Sequence, residues 1–308
     1  MVETAAGWHS SVPAPTGGPS VPGSPQRRRR FRAAAWAATI IVLAVALPLT
    51  VTSVMRGDTV TPVGGPAGVN WHVQMDENFG EDKRAVLDSG RWHAGWFGNG
   101  QLTPAVNSLE TSLYASTNLS VADGVARLDV TPNSPRRFLS DGTRQPNLGA
   151  ALNTDKAQAS DGFMFTYGYV EARLQLPAGK RAEGVWPSFW LNGQTWPNDM
   201  EIDIVEGDGT DQGCKFNIHY GDGDDTTNLN NVARMRTVRG ATSGMHTYAA
   251  DVRPDGVTFY YDGAAVYAYH GKVPDAPRYV VLGNSSSATV SADHPLLIDY
   301  VRVWSQPR

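Results

Sequence analysis

The stretch Trp196-Pro197-Asn198-Asp199-Met200-Glu201-Ile202-Asp203-Ile204-Val205-Glu206 sets three carboxylates among β-branched apolar residues. On a β-strand, alternate residues share a face, so Glu201 and Asp203 point one way and Ile202 and Ile204 the other. Glu206 is an odd number of positions from Glu201, and a regular strand would turn it away from the other acids. A β-bulge at Ile204 or Val205 adds one residue and brings Glu206 back to the acidic face. The segment therefore reads as a strand buried on one side, with a row of three acids on the other.

The sequence on either side repeats the two-residue period. Val125-Ala126-Arg127-Leu128-Asp129-Val130 alternates apolar and polar after the turn Asp123-Gly124. Tyr167 to Leu176 alternates too and stops at Pro177. His246 to Val252, Val257 to Tyr261 and Ala264 to Tyr269 are separated by Pro254-Asp255-Gly256 and by the hairpin signal Asp262-Gly263. Leu296 to Trp304 makes a last strand. No run of helical period interrupts them. Many short strands between turn clusters predict an all-β fold, a two-sheet antiparallel β-sandwich of jelly-roll, concanavalin-like form.

Like charges this close cannot all ionise freely, so their pKa values are driven apart. That separation yields one ionised nucleophile and one protonated acid. Carboxyl groups roughly 5 Å apart leave no room for water between them, and the expected outcome is retention of configuration. A lone acidic triplet would more simply be a solvated strand edge or a metal site. Here Gly184-Val185-Trp186-Pro187-Ser188-Phe189-Trp190-Leu191 precedes it and Phe216-Asn217-Ile218-His219-Tyr220-Gly221 follows. Aromatic faces make sugar platforms, because pyranose C–H faces are apolar. Trp186, Trp190 and Trp196 are the candidate platform.

Glu-x-Asp-x-x-Glu after Trp-Pro-x-Phe-Trp resembles glycoside hydrolase family 16, in its laminarinase-like branch with the bulged motif. Tyr167 to Arg173 is similar to the family's strand before the cleft, and Ile298 to Trp304 to its closing strand. The resemblance covers about Trp71 to Trp304. It implies endo-hydrolysis of β-glucans, with Glu201 as nucleophile, Glu206 as acid/base and Asp203 tuning their protonation. It also implies that His219 lies near the cleft, with a satisfied sheet histidine as the alternative. No cofactor is required for catalysis, and a structural calcium held by Asp299 is a weaker implication. A transglycosylase built on the same residues and a non-catalytic carbohydrate-binding sandwich are the alternatives. Met200 stands where many relatives have a small residue. The loops Trp92 to Leu102 and Asn228 to Gly240 match nothing in the family pattern and are expected to set the substrate.

The rest of the 308 residues is organised around this domain. Residues 1–57 hold Arg27, Arg28, Arg29, Arg30, Arg32 and Arg56 against one acid, Glu3, a balance of +5. The total of 26 bases and 30 acids leaves 20 bases and 29 acids elsewhere, a balance of −9. That acidity excludes a nucleic-acid binder and disfavours polyanionic glycans. Residues 1–32 read as a disordered basic leader facing the cytoplasm. Residues 33–55 hold no charge and read as a signal anchor, with a cleaved signal peptide ending near Ala44-Val45-Ala46 as the alternative. Residues 56–70 read as a linker, and 71–308 as the catalytic domain outside the cytoplasm, expected to be a monomer tethered to the membrane. The single cysteine, Cys214, excludes an intramolecular disulfide and reads as a passive thiol in a loop beside the motif.

Overall fold

The computed structural model describes residues 61–306, apart from 97–99, 178–181, 210–213, 223–224, 232–233, 236–237 and 239. The basic leader and the apolar segment 33–55 lie outside the described residues. Among those described, no helix is long and apolar enough to cross a membrane.

The domain is the expected sandwich of two sheets. Across the back sheet the strands run Ala264–His270, Gly256–Tyr261, His246–Arg253, Gly168–Gln175 and His294–Ser305. The long last strand, His294–Ser305, carries Val125–Pro132 beside its first half and His72–Glu77 beside its second. Leu119–Ala122 closes that edge. Across the front sheet run Asp225–Asn231, Cys214–Asp222, Glu201–Gly207, Val185–Gly193, Arg278–Ser286 and Asn147–Asn153. Among the described residues the pairings are antiparallel except that of Ser112–Ala115 with Asn147–Asn153, which is parallel.

Alternation buries one face of each sheet against the other. Phe189, Leu191, Ile202, Phe216 and Leu282 of the front sheet are fully buried with Val170, Ala172, Leu174, Phe259 and Ile298 of the back sheet. Phe216 and Phe259 meet across the layers with ring centroids 5.5 Å apart. Burial of such side chains is worth about 1.5–3 kcal/mol each, which makes this layer the main source of stability.

One local reading is corrected. Cys214 opens a strand, opposite Gly207, and is buried. Burial pushes its thiol pKa well above the ordinary value, so it is inert. Within the segment 56–70 read as a linker, the Val63 N–H donates to Glu171 Oε2 on the back sheet at 3.1 Å. Gly64 permits this, since a Cβ there would lie 2.8 Å from the Gly263 Cα. A short helix, Lys83–Asp88, is capped by Asp82, whose carboxylate accepts the Ala85 N–H at 2.9 Å. Six residues are too few to print a helical period.

Candidate active site

The strand Glu201–Gly207 carries the bulge that its sequence requires. Toward Val185–Gly193, Asp203 faces Trp190, Val205 faces Phe189 and Glu206 faces Ser188, so Ile204 is the extra residue. Toward Cys214–Asp222, Asp203 faces Asn217 and Glu206 faces Lys215, again with one residue too many on the acidic strand. Ile202, Ile204 and Val205 are all fully buried. Two successive inward side chains at the bulge are what return Glu206 to the face of Glu201 and Asp203. All three acids line one cleft on the outer face of the front sheet.

The three are not electrostatically equal. Asp203 is only 4% exposed, and burial followed by the nearby Glu206 charge raises its pKa well above the carboxylate range. Burial and then the Asp203 charge push Glu201 up to about 8. A proton on Asp203 removes the largest charge acting against Glu201, so the pair shares one proton between them. His219 stands opposite Glu201 in the ladder. Its Nε2 is 3.3 Å from Asp203 Oδ2 and 3.7 Å from Glu201 Oε1, and 2.8 Å from Asn217 Nδ2. The imidazole thus touches two of the three acids.

The entry to this strand is held from behind. Met200 has a left-handed φ of 65° and is buried. Its carbonyl accepts the Arg278 Nε–H at 3.0 Å, and its N–H donates to the Pro197 carbonyl at 3.0 Å. A non-glycine residue in that region stores strain that its surroundings must fix, and here the fixed residue precedes Glu201.

The tryptophans divide by position. Trp186 and Trp190 line the cleft. Trp190 lies over Gly283, where a Cβ would come 2.9 Å from its ring. Behind it sits Trp96, buried, with centroids 5.3 Å apart. Trp96 therefore braces the floor from within the loop expected to set the substrate; Phe97, in the same loop, lies outside the described residues, as do Arg236 and Arg239 in the second. Trp196 is exposed at the rim, and its indole N–H donates to Glu201 Oε2 at 3.0 Å. Glu110 carries no motif or spacing that marks it as a site residue. It is buried in the wall of the same cleft, and Ser285 Oγ donates to it at 2.8 Å.

Asp299 lies on the back sheet, with its carboxylate 2.5 Å from Arg173 Nη1. A carboxylate already paired with a guanidinium does not fit a calcium ligand. Among the described residues, the one group of three or more metal-capable side chains is Glu201, Asp203 and His219.

The sequence profile of glycosyl hydrolases family 16 matches residues 125–292, which include the three acids. An endo-1,3-1,4-beta-glycanase of Rhizobium meliloti is 28% identical over 172 residues, 55% of this chain and 34% of that protein. The chain thus spans about a third of that relative's length. The fold is shared with the catalytic domain of an endo-1,3-beta-glucanase (laminarinase) from Thermotoga petrophila, with a TM-score of 0.63 and 20% identity, covering 78% of this chain and 100% of that one. It is also shared with an endo-beta-1,3-glucanase from Pyrococcus furiosus, with a TM-score of 0.64 and 20% identity over 80% of this chain and 99% of that one. With a profile match over more than half its length, centred on the bulged acidic strand, the chain belongs to family 16 of the glycosyl hydrolases.

Proposed function

We propose that the chain is a retaining, endo-acting glycoside hydrolase that cleaves β-1,3 or mixed β-1,3-1,4 glucan. The observation that carries this reading is the double register shift at Ile204, which puts Glu201, Asp203 and Glu206 on one face of one cleft. In the first step Glu201 attacks the anomeric carbon while Glu206 gives its proton to the leaving glycosidic oxygen, forming a glycosyl-enzyme ester. In the second, Glu206 takes a proton from water, whose oxygen attacks the same carbon and releases Glu201. Two displacements restore the starting configuration. Asp203 shares a proton with Glu201, and the Trp196 N–H orients the attacking carboxylate. The names of the similar proteins, endo-1,3-1,4-beta-glycanase and endo-beta-1,3-glucanase, support a glucan as substrate. Only neutral or weakly charged polymers suit a body of net charge −9.

The reading extends to the cell. The uncharged run 33–55 behind a basic cluster supports a domain held outside the cytoplasm by one N-terminal helix. The domain reaches its polysaccharide there as a monomer.

The test is reducing-sugar release from laminarin, lichenan and a galactan by the parent, Glu201→Gln and Glu206→Gln. Hydrolysis of the two glucans is expected. Glu206→Gln should lower the rate by about 10²–10⁴-fold, the usual share of a general acid. Full activity in Glu201→Gln would overturn the assignment.

A further inference from the structure

The wall of the cleft opposite the catalytic strand holds a fourth carboxyl that the mechanism does not use. Glu110 is only 5% exposed, yet it lines the same cleft as Glu201 and Glu206. Its partners are neutral. Ser285 Oγ donates to Oε2 at 2.8 Å, and Asn107 Nδ2 approaches Oε1 at 3.4 Å. The Tyr114 hydroxyl and the Val106 backbone also bond to it. Burial raises its pKa, offset in part by these bonds. A buried carboxyl without a cation is costly, and such groups cluster where a ligand completes them.

Its place follows from the ladders. Glu206 pairs with Ser188 and Ser188 with Gly283, and Ser285, which holds Glu110, lies two residues further along that strand. Two strand spacings and two residues put Ser285 about 12 Å from Glu206, farther than one sugar ring spans. The residue that holds the carboxyl is thus set back from Glu206 along the cleft, beside Trp186, the ladder partner of Ser285.

We propose that Glu110 is the centre of a remote sugar subsite, where its Oε1 accepts a hydroxyl of a neutral hexose unit in place of the long Asn107 contact. The proposal rests on the reading of the chain as a β-glucan hydrolase. Asn107 is exposed at the rim and its Oδ1 is held by the Leu109 N–H at 2.9 Å, so only its long Nδ2 contact is open to replacement, whereas Ser285 and Tyr114 are buried and hold the carboxyl in place. A pyranose hydroxyl offers the short, charge-assisted bond that Asn107 at 3.4 Å does not make. Glu110 is thus a binding and specificity residue; it handles no reacting atom.

The experiment measures kcat and KM of the full chain and Glu110→Gln on β-1,3-linked glucose oligosaccharides of increasing length and on a short aryl glycoside. Affinity for the longest oligosaccharide is measured calorimetrically in the Glu201→Gln background, with and without Glu110→Gln. The expected result is a KM about tenfold higher for chains long enough to reach the subsite, because the amide of Gln is a weaker, uncharged acceptor than the carboxylate. The short glycoside and kcat should be unchanged, and calorimetric affinity should fall by the same factor. A purely structural Glu110 would change all substrates alike and lower the melting temperature, and that result would overturn the proposal. Unchanged affinity for the longest chain would also overturn it. A parent that hydrolyses no glucan would sink the parent reading instead, a distinct outcome.

Discussion

The Trp196 indole N–H donates to Glu201 Oε2 at 3.0 Å, and so ties a rim side chain that is 48% exposed to the carboxylate proposed to attack the sugar. The bond favours the ionised form of Glu201, against the burial and the Asp203 charge that push it up to about 8. One residue is thus assigned two tasks in the proposed reaction, a sugar platform through its ring and a tether through its nitrogen.

Trp196→Phe separates those tasks, because it keeps an aromatic face and removes the donor. The acidic limb of the kcat/KM profile should move to higher pH, since one bond that lowers the Glu201 pKa is lost. The value at the optimum should fall about tenfold, the worth of a hydrogen bond to a charged group. An unmoved limb would show that the bond does not act on Glu201.

Asp203→Asn acts in the opposite direction. The Asp203 charge is the second cause of the raised Glu201 pKa, after burial. Its removal should shift the acidic limb to lower pH, because that limb reports ionisation of the nucleophile in the free enzyme. The maximal rate should drop by about 10², since the proton shared with Glu201 has no place in an amide. A loss of rate without any shift would leave Asp203 a purely steric part.

Stability carries the same signature. Glu201 binds its proton up to about pH 8 when folded, against an unfolded value of about 4.3. Between these values the folded state holds a proton that the unfolded chain has released, so stability falls as pH rises through that window. Glu201→Gln should therefore melt close to the parent at pH 4 and above it at pH 8. Each kcal/mol is worth about 2–4 °C in a domain of this size. A melting difference independent of pH would contradict the raised value.

Gly283→Ala probes the cleft floor. A Cβ would sit 2.9 Å from Trp190 Cζ3, and Trp96 behind the ring blocks retreat. The expected cost is about 1–3 kcal/mol of overpacking, with weaker glucan binding read from tryptophan fluorescence. Undiminished binding would mean that Trp190 is not a platform.

The bulge was legible because Glu206 stands at an odd step from Glu201 and inward-facing Ile204 and Val205 adjoin it. The strands announced themselves by alternation, since a half-buried sheet imposes a period of two. Glu110 and Trp96 were not legible, because their roles arise where separate segments meet and no local period records that. Cys214 was misplaced because the polar, glycine-containing run before it masks the start of its strand. The docking of Val63 on Glu171 depends on Gly64, whose missing side chain reads as flexibility in a sequence and serves as close approach in the fold.

The central claim is that Glu201 forms a bond to the sugar. It is tested by incubating the enzyme with a 2-deoxy-2-fluoro glycoside of a β-1,3-linked glucose disaccharide and locating the adduct by peptide fragmentation in a mass spectrometer. The account predicts one fluoroglycosyl group per chain, on Glu201, absent from Glu201→Ala. An adduct on Asp203 or Glu206, or no adduct together with a first-formed product of inverted configuration, would contradict it.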